Sequence, residues 1–163
     1  MHLIIDGYNL IGSEKGLRGN LEQRRKDLIE KLREYQDRKG CPITVVFDGW
    51  RSGWIYQTEE RVGDLTVIFS RLGEKADAVI KRIAHELGSA CVVITSDGEL
   101  RRLVEACGAT ALSSRQFALK VRESDEPWDP GLGSDRPRLT PKKGNPRKLS
   151  KAERRRRAKL NRL

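Results

Sequence analysis

The chain has 163 residues, enough for one domain with a core of its own, and a formal net charge of +10. No apolar run approaches the ~20 residues needed to cross a bilayer, and His2 and His85 are too few for a histidine-rich zinc site. Cys41, Cys91 and Cys107 form no C-x-x-C pair, and the N-terminus runs straight into a strand-like segment, so reduced thiols and a cytoplasmic location are expected.

Residues 2–5 (H-L-I-I) read as a short buried strand. Residues 21–38 are amphipathic, with Leu21, Leu28, Ile29, Leu32 and Tyr35 on one helical face, and Gly40 stops that helix. Residues 43–47 and 65–69 are a second and a third strand. Residues 75–87 place Ala76, Val79, Ile80, Ile83, Ala84 and Leu87 on one stripe, and Gly88 ends the helix. Residues 91–94 form a fourth strand. Ser96 and Glu99 fit a capping box for a helix over 97–106 that Gly108 closes. Residues 109–112 suit a short fifth strand, and 114–119 a last helical turn. Apolar strands separated by helices predict a mainly parallel sheet of about five strands covered on both faces.

Beyond residue 122 the composition changes. Residues 123–149 hold five of the six prolines and read as a linker. Residues 1–122 carry twenty Lys/Arg against seventeen Asp/Glu, whereas residues 136–163 carry thirteen against one, so the charge excess lies in the tail. Residues 150–163 can form a basic helix, with Ser150 and Glu153 as a capping box. Ala152, Leu160 and Leu163 are too few to dock it strongly, so the helix is expected to order on a partner. Such a block suits a polyanion, or else is a disordered solubilising tail.

Four aspartates follow apolar runs or open a helix: I-I-D6-G-Y-N, V-V-F-D48-G-W, E-K-A-D77-A-V-I and V-I-T-S-D97-G-E-L. In a parallel sheet, ligands bind beyond the carboxyl ends of the strands, so one rim can hold Asp6, Asp48, Asp77 and Asp97 together. Carboxylates crowded in one site raise each other's pKa, and a hard divalent cation, Mg²⁺ or Mn²⁺, relieves this. Glu74, three residues before Asp77, is a further ligand candidate, and Asn9 offers an oxygen beside Asp6. Each has a plainer reading: an Asx turn at Asp6, a D-G turn at Asp48, a surface ion pair of Asp77 with Lys81, and a helix-start carboxylate at Asp97. After Asp48 comes G-W-R-S-G-W-I-Y-Q-T-E-E-R, in which Trp50, Trp54 and Tyr56 alternate with Arg51 and Arg61. Such a loop suits single-stranded RNA, by stacking and by arginine–phosphate contacts, and equally suits tryptophans that cap the core.

Taken in order, these motifs resemble the NYN family of PIN-like ribonucleases, in its YacP-like bacterial branch, over residues 1–122. The resemblance implies a PIN-like three-layer α/β/α sandwich and a Mg²⁺- or Mn²⁺-dependent endoribonuclease. Asp6 and Asn9 match the first motif, Asp48 the D-G after the second strand, Asp77 the third and Asp97 the last. Some relatives carry two aspartates in the last motif; this chain has one, so Glu74 or Asp48 would complete the charge. On this reading Asp6, Asp77 and Asp97 are catalytic metal ligands, with Glu74 and Asp48 assisting. Asn9, Thr95 and Ser96 position the scissile phosphate, and Arg51, Trp54 and Arg61 grip single-stranded RNA. Arg154, Arg155, Arg156 and Arg157 hold RNA more broadly, with ribosomal RNA as one candidate. The alternative is a non-catalytic RNA-binding or ribosome-associated factor that keeps the fold. A toxin-like nuclease is a third reading.

Overall fold

The chain enters its core at once. Strand β1 (His2–Asp6) carries Leu3, Ile4 and Ile5 with no exposed surface. The structure, a computed structural model, describes residues 1–15, 19–49, 55–125 and 151–162. After β1 come α1 (Gly7–Lys15), α2 (Leu21–Lys39), β2 (Ile43–Phe47), β3 (Thr58–Val62), β4 (Leu65–Phe69) and α3 (Ala76–Leu87). Then follow β5 (Cys91–Ile94), α4 (Gly98–Ala106), β6 (Thr110–Leu112), α5 (Ser114–Asp125) and α6 (Lys151–Leu160).

The sheet has the order β3-β4-β2-β1-β5-β6 and is parallel except for β3, which pairs antiparallel with β4. Alternate residues of each central strand feed opposite faces. Leu3, Ile5, Val45, Phe47, Val92 and Ile94 join a core with α1, α2 and α5, where Tyr8, Leu32, Tyr35 and Phe117 are buried. Ile4, Val46 and Val93 join the other core, with Val79, Ile80 and Ala84 of α3 and Leu100 and Val104 of α4. The result is the expected three-layer α/β/α sandwich.

Several details differ from the sequence reading. The sheet has six strands rather than about five, because T-E-E-R-V over 58–62 forms an edge strand. Its exposed charged residues mask it, and Gly63 at φ 65° with Asp64 makes the two-residue turn into β4. Helix α1 starts directly after Asp6, and α5 runs to Asp125, well past a single turn. The N-cap of α4 is Asp97, not Ser96: its Oδ1 accepts from the backbone N–H groups of Glu99 and Leu100, both at 2.8 Å. Ser150 and most of the linker lie outside the described residues.

The largest difference is the tail. Helix α6 does not wait for a partner; it packs across the sheet edge at β6. Leu160 lies against the α1/α2/α5 core. The Lys159 ammonium donates to Ser89 O at 2.8 Å and Cys91 O at 3.0 Å, and Arg156 pairs with Glu105 at the end of α4. Helix α6 therefore needs few apolar residues, because a long lysine stem covers apolar surface while its head satisfies backbone carbonyls.

Candidate active site

The parallel strands point their carboxyl ends toward one rim, and there the four aspartates are gathered. Asp6 ends β1, Asp48 follows β2, Asp77 lies in the first turn of α3 and Asp97 follows β5. Three of the four also begin helices. The Asn9 N–H donates to Asp6 Oδ1 at 3.1 Å, opening α1. The Ala76 N–H donates to Asp48 Oδ1 at 2.6 Å, so a residue after β2 caps α3, where Lys75 offers no side-chain acceptor. Asp97 caps α4. The positive ends of three helix dipoles thus face the same rim.

In two of the D-G pairs the glycine is needed for close approach rather than for an unusual φ. A Cβ on Gly7 would sit 2.2 Å from Phe47 Cε1, and one on Gly49 would sit 1.6 Å from Ser70 O. The Gly49 N–H donates to Ser70 Oγ at 3.0 Å, and that hydroxyl donates to Glu74 O at 2.6 Å, which tethers the Asp48 turn to the approach to α3.

The carboxylates feel one another. Asp6 is 9% exposed, and its pKa is pushed up from an ordinary 3.8 to about 6, chiefly by burial. The charges of Asp77 and Asp48 add to this, while hydrogen bonds from the Asn9 N–H and the Thr95 hydroxyl (3.3 Å, to Oδ2) oppose it. Asp77 is also raised, first by burial and then by Asp97 and Asp48, with Lys75 and Lys81 opposing.

The hydroxyl and amide residues form a second network. Asn9 Oδ1 accepts from the Ser96 N–H at 2.9 Å and the Ser114 hydroxyl at 2.7 Å. The Ser96 hydroxyl accepts from the Ser114 N–H at 3.3 Å, and Thr95 Oγ1 accepts from the Asp97 N–H at 3.1 Å. Asn9 therefore ties α1 to the β5–α4 turn and to the start of α5. Ser114 was not singled out in the sequence; its place just past β6, at the start of α5, was the available signal.

Glu74 is near the site but committed elsewhere. It precedes α3 rather than lying within it, and its carboxylate pairs with Arg82 at 3.2 Å and Arg71 at 3.4 Å. Among the described residues, no three acidic, histidine or cysteine side chains converge as a ready-made coordination shell. The donor set is nonetheless that of a hard cation: carboxylate oxygens whose mutual repulsion a cation would relieve. Mg²⁺ commonly takes only one or two carboxylates and keeps water and phosphate oxygens for the rest.

Arg61 lies on β3 opposite Thr66, toward the end of the sheet away from the rim, and is exposed. Tyr56 is 80% exposed. Trp50, Arg51 and Trp54 lie outside the described residues. Arg154, Arg155 and Arg157 are exposed on α6, and Arg156 is half-buried in its ion pair. Among the described residues no helix is long and apolar enough to cross a membrane.

The profile of the YacP-like NYN domain family matches residues 3–162. The chain belongs to this family. The match runs past residue 122 and includes the docked helix α6. The protein YacP of Bacillus subtilis (strain 168) is 35% identical over 128 residues, which cover 73% of this chain and 74% of that protein. A crystal structure of a mutant form of Rae1 (YacP) from Bacillus subtilis superposes with a TM-score of 0.63 at 32% identity, covering 76% of this chain and 75% of that one. A second crystal structure of Rae1 (YacP) gives 0.61 at 31% identity, covering 76% and 74%. NYN domains are generally nucleases, which places this YacP-like chain among proteins with a nuclease-type, RNA-related function.

Proposed function

We propose that this YacP-like chain is a metal-dependent endoribonuclease that hydrolyses phosphodiester bonds in single-stranded RNA. The supporting observation is the rim, where Asp6, Asp48, Asp77 and Asp97 meet and where burial, with the charges of Asp77 and Asp48 added, pushes the Asp6 carboxyl up to about 6. Asp6, Asp77 and Asp97 would hold a Mg²⁺ or Mn²⁺ ion, and Asp48 would add charge from beside α3. When bound, such an ion supplies a water of lowered pKa and stabilises charge on the phosphorane and the leaving oxygen. Asn9 keeps the β5–α4 turn and the start of α5 in register, so that Ser96 and Asp97 face the substrate. The Thr95 hydroxyl orients the Asp6 carboxylate. Water attacks in line and leaves a 5′-phosphate and a 3′-hydroxyl. The exposed arginines of α6 add affinity for RNA that does not depend on sequence, and messenger or ribosome-associated RNA fits that surface.

The rival reading, an RNA-binding factor without catalysis, draws on the caps: Asp6, Asp48 and Asp97 each already hold a helix start. One experiment separates the two. A mixed RNA pool is incubated with Mn²⁺, Mg²⁺ or EDTA and with wild type, Asp6→Asn or Asp77→Asn. Cuts that need metal and vanish in both variants establish the nuclease. RNA binding with no cutting under any condition favours the binding factor.

A further inference from the structure

Beside Asp77 a cleft of about 520 Å³ opens between α3 and α4. This is within the ~300–1,000 Å³ range of sites that take small organic groups. From α3 it is lined by Asp77 and Lys81, which share a face at i and i+4; from α4 it is lined by Glu99, Leu100 and Leu103. Lys75, directly before α3, also lines it and acts on the Asp77 charge. Leu100 is buried in the core beneath and Leu103 is 40% exposed, so the apolar surface on the α4 side is that of Leu103. The charged groups differ in how they are engaged. Glu74, also in the lining, is paired with Arg71 and Arg82. Lys75, Lys81 and Glu99 have no ion pair among the described residues.

One open leucine, an acceptor-only carboxylate and two ammonium groups are the complement of one nucleotide. The acidic rim repels phosphates, so a strand crossing it needs cations on its flank, and Lys75 and Lys81 stand there. A carboxylate only accepts hydrogen bonds. Guanine alone among the four bases presents two neighbouring N–H donors, at N1 and N2, which match its two oxygens. Adenine and cytosine place a ring-nitrogen acceptor beside their single amino group, and uracil flanks its N–H with carbonyls, so each sets an acceptor against the carboxylate.

We propose that the α3–α4 cleft seats the nucleotide next to the scissile phosphate, with Glu99 reading its base, guanine first, and Lys75 and Lys81 holding its backbone. The inference rests on the reading of the rim as the place of cutting. Its test therefore includes a binding arm that needs no chemistry.

In EDTA, the binding of fluorescent U-rich RNA decamers carrying one central A, C, G or U is measured for wild type, Glu99→Gln and Lys75→Gln/Lys81→Gln. Lys26→Gln/Lys31→Gln, on the outer face of α2, removes the same charge elsewhere. In parallel, the ends produced from a randomised RNA pool are sequenced in the presence of Mn²⁺. Wild type is expected to prefer the guanine decamer roughly tenfold, and Glu99→Gln to lose that preference. The paired lysine change is expected to lower the salt slope of binding by about one to two, and the α2 control to leave it unchanged. Guanine should also be enriched at one position beside the cut, and only while Glu99 is present. Cutting by wild type with base preference and salt slope indifferent to these residues overturns the cleft and leaves the nuclease standing. Binding that responds to Glu99 and the lysines without any cutting supports the cleft and removes the nuclease reading. Neither response removes both.

Discussion

Replacing Asp6 by Asn should stabilise the metal-free protein. Asp6 is 9% exposed, and its carboxyl titrates near 6 instead of 3.8, mainly because burial penalises the charged form. A folded-state pKa above the unfolded value means that the folded protein binds the proton more tightly, so stability falls as pH rises from 3.8 to about 6. The interval corresponds to about 3 kcal/mol, present in full above pH 6 and absent below 3.8. Asn keeps the shape and the oxygen that accepts from the Asn9 N–H, gives up only the long bond from the Thr95 hydroxyl, and carries no charge. Urea denaturation in EDTA should therefore show Asp6→Asn more stable than wild type by up to ~3 kcal/mol at about pH 7.5, with the two converging toward about pH 4. In a thermal scan of a chain this size that is a shift on the order of 5–10 °C. Added Mn²⁺ should narrow the gap by stabilising wild type alone. A variant less stable than wild type at neutral pH, or a gap that does not vary with pH, would show that the Asp6 charge carries no such cost.

Asn9→Ala removes the acceptor for both Ser96 and Ser114 and should cost about 1–3 kcal/mol. RNA cleavage should fall further than this stability loss explains, read as activity at a temperature where the variant is fully folded by circular dichroism. Gly49→Ala forces a Cβ into the carbonyl of Ser70, which is backbone and cannot step aside, so a loss of several kcal/mol, on the order of 3, is expected in urea midpoints. Lys159→Met keeps the stem but abandons the carbonyls of Ser89 and Cys91. It should cost about 1–2 kcal/mol and speed amide exchange in β6, while exchange in β2 stays slow. Equal protection of β6 in both proteins would mean that α6 does not guard that edge.

The central architecture was legible because the hydrophobic runs of β1, β2, β4 and β5 are continuous and three of them are followed closely by an aspartate. The rim follows from the geometry of any parallel sheet, so the gathering of Asp6, Asp48, Asp77 and Asp97 needed only the strands to be placed correctly. The spacing of Glu74 to Asp77 suggests one helical face, yet the helix begins at Ala76 and the Glu74 carboxylate pairs with two arginines. Strand β3 was hidden because an exposed edge strand needs no apolar alternation, and T-E-E-R-V reads as loop. Helix α1 was hidden because Gly-Tyr-Asn follows a strand with no linker, although Asp6 capping the Asn9 N–H was a signal in the letters themselves. The docking of α6 was invisible to any count of apolar residues, since Lys159 and Arg156 do much of it through hydrogen bonds and an ion pair.

That docking sets an order of events. The six strands of the sheet are made before residue 151 is added, and the helix that packs on β6 follows them. At ~5–20 residues per second, the ribosome needs several seconds, roughly 2–10, to go from the end of β6 to the end of α6. For the part of that interval in which β6 is clear of the ribosome, the sheet shows an edge of unpaired N–H and C=O groups, open to pairing with a neighbouring chain. A message cut or stalled within the segment before α6 would release a product with its strands complete and its edge open. Helix α6 thus acts as a seal on the sheet, and chains that stop before residue 151 should be found among aggregates.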